Sequence, residues 1–557
     1  MEYLIIILLN SLSCILLISN GLVFKKIFKF ENINENIIES GIYGIILISL
    51  TTLFLNFFVK ISSFVSLLIL FLPIIFVYKD IYFLRKRIFN LSIILGIISS
   101  LIMFLDNTNR PDAGLYHLPY INIINDSKII LGSANLEFRF GHSSILQYLS
   151  SAFNNVLFTS KGILIPLANI FAFVSFYLLY LIKKNKNVLR VIFFLFIFNI
   201  FYSMNRYSGF GNDDPGHMFL YLSVCCYILT FFNSNKDIKK NVIFFSTYAF
   251  LIKPFLIMVF LLPLFLLFNK KIKFFSKVNF FCLIFISIWF LKNIFVSSCI
   301  LYPEPKLCFK SLSWTTFNSS YASPLRVKKT SEAWAKDWPN KKINIDKAEY
   351  IKKLNWISTW KENHFKIFVI EILPQIILVI SIIFLKPSSH SFHKFSNNLA
   401  LHIFVIGLIS TLLWFLKFPI YRYGQGYIIT FINSFYLLSL YKGFKIIPIT
   451  ERFFNKILIS IFIIISFGIL FKNLERIYEN YQNNYLDYPW PKMNSYTNDN
   501  KINTNIAVYS EDDNFLYYKP YPYSLCMFSN SPCTSNVNVG NIKIKTKLGY
   551  KIYYYEN

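Results

Sequence analysis

YLIIILLNSLSCILLISNGLVF, residues 3–24, runs without a charge and is followed at once by Lys25 and Lys26. A helix of this length rises about 33 Å, enough to cross a hydrocarbon layer about 30 Å thick. The run is apolar all round, with none of the one-sided periodicity of a helix lying on a soluble core. It lacks a basic stretch before it and a small-residue cleavage site, so it reads as a span, not a secretory signal.

The pattern recurs along the chain. Of its 557 residues 55% are hydrophobic, gathered in runs of about 16 to 22 residues between short charged stretches. Runs fall near 3–24, 41–58, 63–78, 90–105, 162–182, 189–204, 216–233, 241–252, 254–268, 278–296, 366–385, 399–416, 425–441 and 456–472. The expected fold is an all-α polytopic membrane protein of about 11–14 spans. The least regular place is 241–268, where Lys253-Pro254 divides the run: Pro254 removes a backbone donor. A hairpin of two short helices and one kinked span are both open there, and a hairpin at membrane depth must be buried or line a cavity.

Lys+Arg number 56 against 28 Asp+Glu, a formal charge of +28. Such an excess in a soluble chain points to nucleic acid. Here the cations border apolar runs, at Lys25-Lys26, Arg85-Lys86-Arg87, Lys183-Lys184, Lys239-Lys240 and Lys270-Lys271. An AT-rich genome would raise Lys, Asn, Ile and Phe without clustering them. The clusters read as cytoplasmic loops, so no nucleic-acid partner is expected. An outward N-terminus then places 106–161, 205–215, 297–365, 417–424 and 473–557 outside. The expected organisation is N-terminal spans 1–105, a first large outer loop 106–161, a core of spans 162–296, a second outer loop 297–365, spans 366–472 and an outer tail 473–557. Alternation in Ile506-Ala-Val-Tyr509 and Ile542-Lys-Ile-Lys-Thr-Lys marks the tail as a small β-rich domain.

Cysteine placement is an independent signal. Cys14, Cys225, Cys226 and Cys282 lie inside apolar runs, whereas Cys299 with Cys308 and Cys526 with Cys533 form local pairs in segments already assigned outside. Disulfides form in oxidising compartments, so both pairs are candidates.

Long loops in a multispan chain carry function. The first outer loop holds Asp112, Tyr116, His117, Asn135, Glu137, Arg139 and His142, with helices expected over 115–130 and 143–158 at the membrane surface. A partly desolvated carboxylate there can serve as a general base or hold a cation. In the next outer loop Asp213, Asp214 and His217 sit among three glycines and a proline. Two readings stand for them: a turn that caps the following span, or a metal- or phosphate-handling group, although hard cations draw ligands from several segments. Lys253, between two apolar half-spans, is costly unless it snorkels or meets an anion. Arg422, at the outer mouth of a span, has the fork geometry for a phosphate. Trp314, Trp334, Trp338, Trp356 and Trp360 crowd the second loop as interfacial anchors or sugar-stacking surfaces.

The acidic Asp112 opening the first outer loop, the Tyr116-His117 after it and the multispan frame resemble the GT-C superfamily of membrane glycosyltransferases. Segments Arg110 to Gly141, Leu301-Tyr-Pro303, Pro419 to Gly426 and Cys526 to Cys533-Thr534 are similar to bacterial membrane proteins of that type. The resemblance implies an inverting, polyprenyl-phosphate-sugar-dependent transferase of the cell envelope, in the bacterial inner membrane, with its active site facing the periplasm or cell exterior. It implies Asp112 as base or metal-linked carboxylate, and Ala113 stands where many members carry a second acid. On this reading Lys253 and Arg422 hold the donor phosphate, and Tyr116, His117, Asn135, Arg139 and His142 face substrate or acceptor. Asp213, Asp214 and His217 are the candidate ligands for a divalent cation, Mg or Mn, the one cofactor expected. The partners are a lipid-linked sugar donor, a glycan or lipid acceptor and membrane lipids. A surface-polysaccharide polymerase or ligase, and a flippase without chemistry, are the alternatives; a transporter would show internal repeats in hydropathy, and none is visible.

Overall fold

Helix α1 (Glu2–Ile27) lies against α2 (Ile37–Asn56) closely enough that only glycine fits at the crossing. A Cβ on Gly21 would stand 1.6 Å from the Ser40 carbonyl oxygen, and one on Gly44 would stand 1.8 Å from that of Leu17. Small residues at such crossings allow backbone-to-backbone contact, a common device where no hydrophobic force separates helix from solvent. In this computed structural model the described residues are 2–31, 33, 35–105, 112–203, 211–233, 235–338, 346–352, 354–385, 397–441, 450–482, 504–509, 515–521, 525–528, 530–536, 539 and 542–556. Arg110, residues 204–210 at the outer segment before Asp213, and tail residues 483–503 therefore lie outside them.

The chain is mostly helical. After α2 come α3 (Ser63–Phe71), a 3₁₀ stretch Leu72–Val77 and α4 (Tyr78–Leu105). Helical hydrogen bonding runs almost unbroken from Ser63 to Phe104, 42 residues. The contacts show that this stretch folds back on itself. Asn20 of α1 donates to the Leu70 carbonyl (3.0 Å), Lys26 pairs with Asp80, and Asn10 donates to Ser100 Oγ (2.9 Å). Residues 63–77 thus run parallel to α1, and α4 returns along it.

The first loop carries α5 (Leu118–Asp126) and α6 (Ile145–Phe153). Leu118–Ile124 and all of α6 are buried within the protein, not laid along its surface as expected, because α6 packs against α2 and the next long helix and α5 packs on α6. That helix is α7 (Ile165–Lys184), followed by α8 (Asn187–Tyr202), α9 (Asp213–Leu229), α10 (Lys236–Ile252), the 3₁₀ segment Pro254–Phe260, α11 (Leu261–Phe268) and α12 (Lys277–Ser297). At Lys253-Pro254 the chain reverses. The Phe250 and Phe260 rings meet across the turn, centres 5.3 Å apart, and Lys271 Nζ, beyond α11, donates to the Thr230 carbonyl at the far end of α9. The hairpin is the observed form, and the single kinked helix is excluded by that return.

The second loop holds α13 (Pro324–Ala335), α14 (Lys347–Lys352) and α15 (Trp356–Asn363), and α16 (Phe365–Phe384), α17 (Asn397–Lys417), α18 (Tyr421–Tyr441) and α19 (Glu451–Gln482) complete the helices. Among the described residues, seven helical stretches are long and apolar enough to cross a membrane. Their outward side chains, Phe280, Leu283, Ile370, Ile377 and Leu412 among them, remain uncovered by protein.

The two ends of the bundle differ in chemistry. At one end Lys184 pairs with Glu35 (2.6 Å), Lys240 donates to the Lys29 carbonyl (2.7 Å) and Lys277 to that of Ile27 (3.1 Å), which gathers the basic clusters together. Just inside, Lys25 is fully buried against Glu39 at 2.7 Å, and Asn241 and Tyr177 also donate to Glu39. The opposite end carries the two large loops and the tail. In the tail, β1 (Thr504–Tyr509) pairs with β2 (Phe515–Tyr521), and β3 (Lys543–Lys547) with β4 (Tyr550–Tyr554), both antiparallel. The β3–β4 turn places Leu548 and Gly549 at positive φ, the backbone that a two-residue hairpin needs to match strand twist. The tail is docked, not tethered: Leu131 N donates to the Lys551 carbonyl, Tyr553 N to that of Leu131, and Tyr550 Oη to that of Phe57.

Candidate functional site

Four breaks in regular helix meet at the loop end of the bundle. Asp213 opens α9, where its carboxylate sits at the positive end of the helix dipole. Lys253 occupies the extended residue between α10 and the 3₁₀ segment, since Pro254 stops the helix there. Arg422 lies in the first turn of α18. Asp112 precedes Ala113–His117, a π-helical turn, a geometry that is rare and concentrated at functional sites.

These breaks bring four charges into one cluster of alternating sign. Lys253 Nζ bonds Asp213 Oδ1 and lies 4.0 Å from the centre of the Tyr423 ring. Arg422 spans the two acids, with Nε 3.7 Å from Asp213 Oδ2 and Nη2 3.7 Å from Asp112 Oδ2. Its guanidinium also stacks 5.1 Å from Tyr423. The side chains of Asp112 and Arg422 are 41% and 32% exposed, against 22% for Asp213 and 14% for Lys253, so the cluster opens on the Asp112 side.

Tyr116 and His117 line the same place, their rings 4.1 Å apart. Burial lowers the His117 imidazole to about 4 against the pull of Asp112 and Asp213, so it is neutral at pH 7. It is held by Gln147 Nε2 at 3.2 Å. Gln147 and Ser144 form the capping box of α6, and Ser144 Oγ donates to the Ile252 carbonyl (2.8 Å), one residue before Lys253. One polar chain thus ties the Asp112 turn to the Lys253 turn.

The expected metal set is not assembled. Both oxygens of Asp213 are engaged by cations. His217 Nε2 lies 2.9 Å from the Arg422 carbonyl and must donate to it, which leaves Nδ1 as acceptor. Nδ1 is buried against Gly426, where a Cβ would come within 2.5 Å. Asp214 lies in the first turn of α9 with Asp213. Among the described residues no three His, Cys, Asp or Glu side chains converge as metal ligands.

Asn135, expected to face substrate, is instead fully buried scaffold: its Nδ2 donates to the carbonyls of Trp314 and Tyr553 and so joins the first loop, the second loop and the tail. Arg139 pairs with buried Glu137 at 3.0 Å, and Tyr321 Oη donates to the same carboxylate. Burial raises the Glu137 carboxyl, with Arg139 opposing. Exposed His142 stands beside Tyr302, ring centres 5.4 Å apart. These side chains form a second, aromatic patch, within electrostatic reach of Asp112 through Arg139. Of the loop tryptophans, Trp356 is fully buried and Trp360 donates to the Pro419 carbonyl, so these two serve packing. Cys299–Cys308 and Cys526–Cys533 are disulfides, both at the loop end.

Three contributors escaped the sequence reading. Tyr423 needed the fold to place it. Lys292, fully buried in α12, donates to Ser143 O (3.1 Å) and Oγ (2.9 Å), beside the α6 cap. Its signal was present, a lone cation within the apolar run 278–296. Met527 of the tail, with no chemical signature, packs onto Gly114.

No curated protein and no solved structure matches the chain. A family model does match, over residues 3–429, a span that contains Asp112, Asp213, Lys253 and Arg422 and stops short of the tail. The chain belongs to the family described as "Domain of unknown function (DUF8201)".

Proposed function

We propose that this chain is a multispan enzyme of the bacterial cytoplasmic membrane that moves a sugar from a polyprenyl-phosphate donor to a cell-surface glycan or lipid. The observation that carries the reading is Arg422 bridging Asp112 and Asp213 with Lys253 beside it, at the mouth of a helical bundle. Two cations there suit the phosphate of a lipid donor, and the half-exposed carboxylate beside them suits a base.

Orientation follows from the contrast between the ends. Lysine-rich ends of membrane bundles face the cytoplasm, and disulfides persist outside it. Here they occupy opposite ends. The uncovered apolar side chains are the surface that lipid would cover. The site then opens on the extracytoplasmic face.

In the proposed transfer an acceptor hydroxyl attacks the anomeric carbon of the donor sugar. Asp112 takes the hydroxyl proton as the new C–O bond forms. The bond from the anomeric carbon to the phosphate oxygen breaks, its electron pair stays on the phosphate, and Arg422 and Lys253 stabilise that charge. Attack opposite the leaving phosphate inverts the anomeric centre.

The test is to incubate the purified chain with a membrane-lipid extract containing polyprenyl-phosphate sugars and assay free polyprenyl phosphate. Release that depends on the protein and is lost in Asp112→Asn supports transfer. Movement of lipid-linked sugar across vesicles without release would favour the flippase.

A further inference from the structure

The C-terminal tail lies beyond the matched family region, yet one of its loops rests on the turn that carries Asp112. Met527 N donates to the Gly114 carbonyl at 3.0 Å, two residues from Asp112. The Met527 side chain is buried at 1% exposure, and a Cβ on Gly114 would stand 2.4 Å from its sulfur. Met527 itself has φ +54°, a conformation that costs a non-glycine residue about 1 kcal/mol or more and persists only where its surroundings hold it.

The surroundings do hold it. The Cys526–Cys533 disulfide closes the loop from both sides. Beyond it, Tyr518 N donates to the Pro532 carbonyl and Thr534 N to that of Tyr518, which fastens the loop to β2. Thr534 Oγ1 then donates to the Leu136 carbonyl at 2.9 Å, a second anchor on the first outer loop. The partner surface is a π-helical turn, whose looser hydrogen bonding gives it little stiffness of its own.

We infer that the disulfide loop 526–533 is a positioning clamp that holds the Asp112 turn against Arg422. Its contact with the site runs through Gly114, on the carboxylate side. The inference rests on Asp112 being the reacting carboxylate, and its effect on that group is separable from the role of the cations. Removing the clamp should free the 113–118 backbone while leaving the N-terminal turn of α9 and the Lys253 turn as they are.

The test uses the full-length Cys526→Ser/Cys533→Ser double variant beside the parent, with three readouts. Hydrogen–deuterium exchange should rise by about tenfold at 113–118, the scale of one lost hydrogen bond, and stay unchanged at 213–218. Affinity for farnesyl phosphate should stay within about twofold, because the clamp is not part of the cation pair, while kcat for sugar transfer falls and the donor KM holds. Gly114→Leu, which would eject Met527, should reproduce the exchange change, and adding Met527→Gly should restore protection and turnover. Unchanged exchange at 113–118 in the double-serine variant overturns the clamp and leaves the glycosyltransferase reading untouched. Raised exchange with unchanged turnover, in a protein that Asp112→Asn inactivates, overturns the positioning role. An active Asp112→Asn protein sinks the functional reading instead, and the exchange result still decides whether the clamp exists.

Discussion

Replacing Arg422 by methionine removes the one group among the described residues that pairs with both acids, and the structure sets the scale. At 3.7 Å each Arg422–carboxylate contact is worth about 1 kcal/mol in water and about 4–5 kcal/mol at an effective dielectric of 20. With Asp112 41% and Arg422 32% exposed, the lower part of that range applies, about 1–2 kcal/mol per pair. Those pairs are the resting state; a bound phosphate would take over the guanidinium in a charge-assisted contact worth about 1.5–3 kcal/mol net. Losing it predicts farnesyl phosphate binding about 10- to 150-fold weaker, at about 1.4 kcal/mol per decade. Asp112→Asn should move affinity the other way, a few-fold tighter, because it removes a negative charge beside the incoming anion. Titration calorimetry in detergent at constant salt measures both. Equal affinity of parent and Arg422→Met, or weaker binding by Asp112→Asn, would refute the assignment of the cations to the donor phosphate.

Leu548→Cys, 87% exposed at the loop end, should react with an impermeant thiol reagent in intact cells, and Phe275→Cys, 95% exposed at the lysine-rich end, only after permeabilisation; the reverse pattern inverts the topology. Gly44→Leu should lower the melting temperature sharply or block folding, because its Cβ would meet the Leu17 carbonyl at 1.8 Å; a melting point within a degree of the parent would deny the close α1–α2 crossing. Burial holds His117 at about 4 against 6.5 unfolded, so between those values the unfolded chain binds the extra proton. Stability is therefore full above about pH 6.5 and falls on acidification toward pH 4, by up to about 3 kcal/mol. His117→Gln should flatten that part of the melting profile, and an unchanged profile would count against a buried, neutral imidazole.

The helices were legible because a run of about 20 apolar residues allows little else. The lysine clusters told which ends belong together, as Lys184–Glu35 and Lys240–Lys29 now show by contact. Even the Lys253-Pro254 hairpin was one of two forms that Pro254 permits. What one sequence could not supply was convergence. Nothing local says that Asp112 and Arg422 share an ion pair across 310 positions, or that Met527 meets Gly114. Residue type also misled where polarity served scaffolding: Asn135 looks like a ligand for substrate and is spent on two backbone carbonyls, and His217 looks like a metal ligand and is turned onto the Arg422 carbonyl. Lys292 was overlooked because it sits well inside a run already assigned to a span.

The most direct measurement is the surface glycan of a deletion strain complemented with parent, Asp112→Asn or Asp126→Asn chain. Asp112 sits in the charge cluster, whereas Asp126 ends α5, exposed in the same loop. If Asp112 is the base, its replacement should leave expression and membrane insertion unchanged and cut glycan transfer by a factor of about 100 or more, while Asp126→Asn complements like the parent. Full complementation by Asp112→Asn, at equal protein level, would contradict the account.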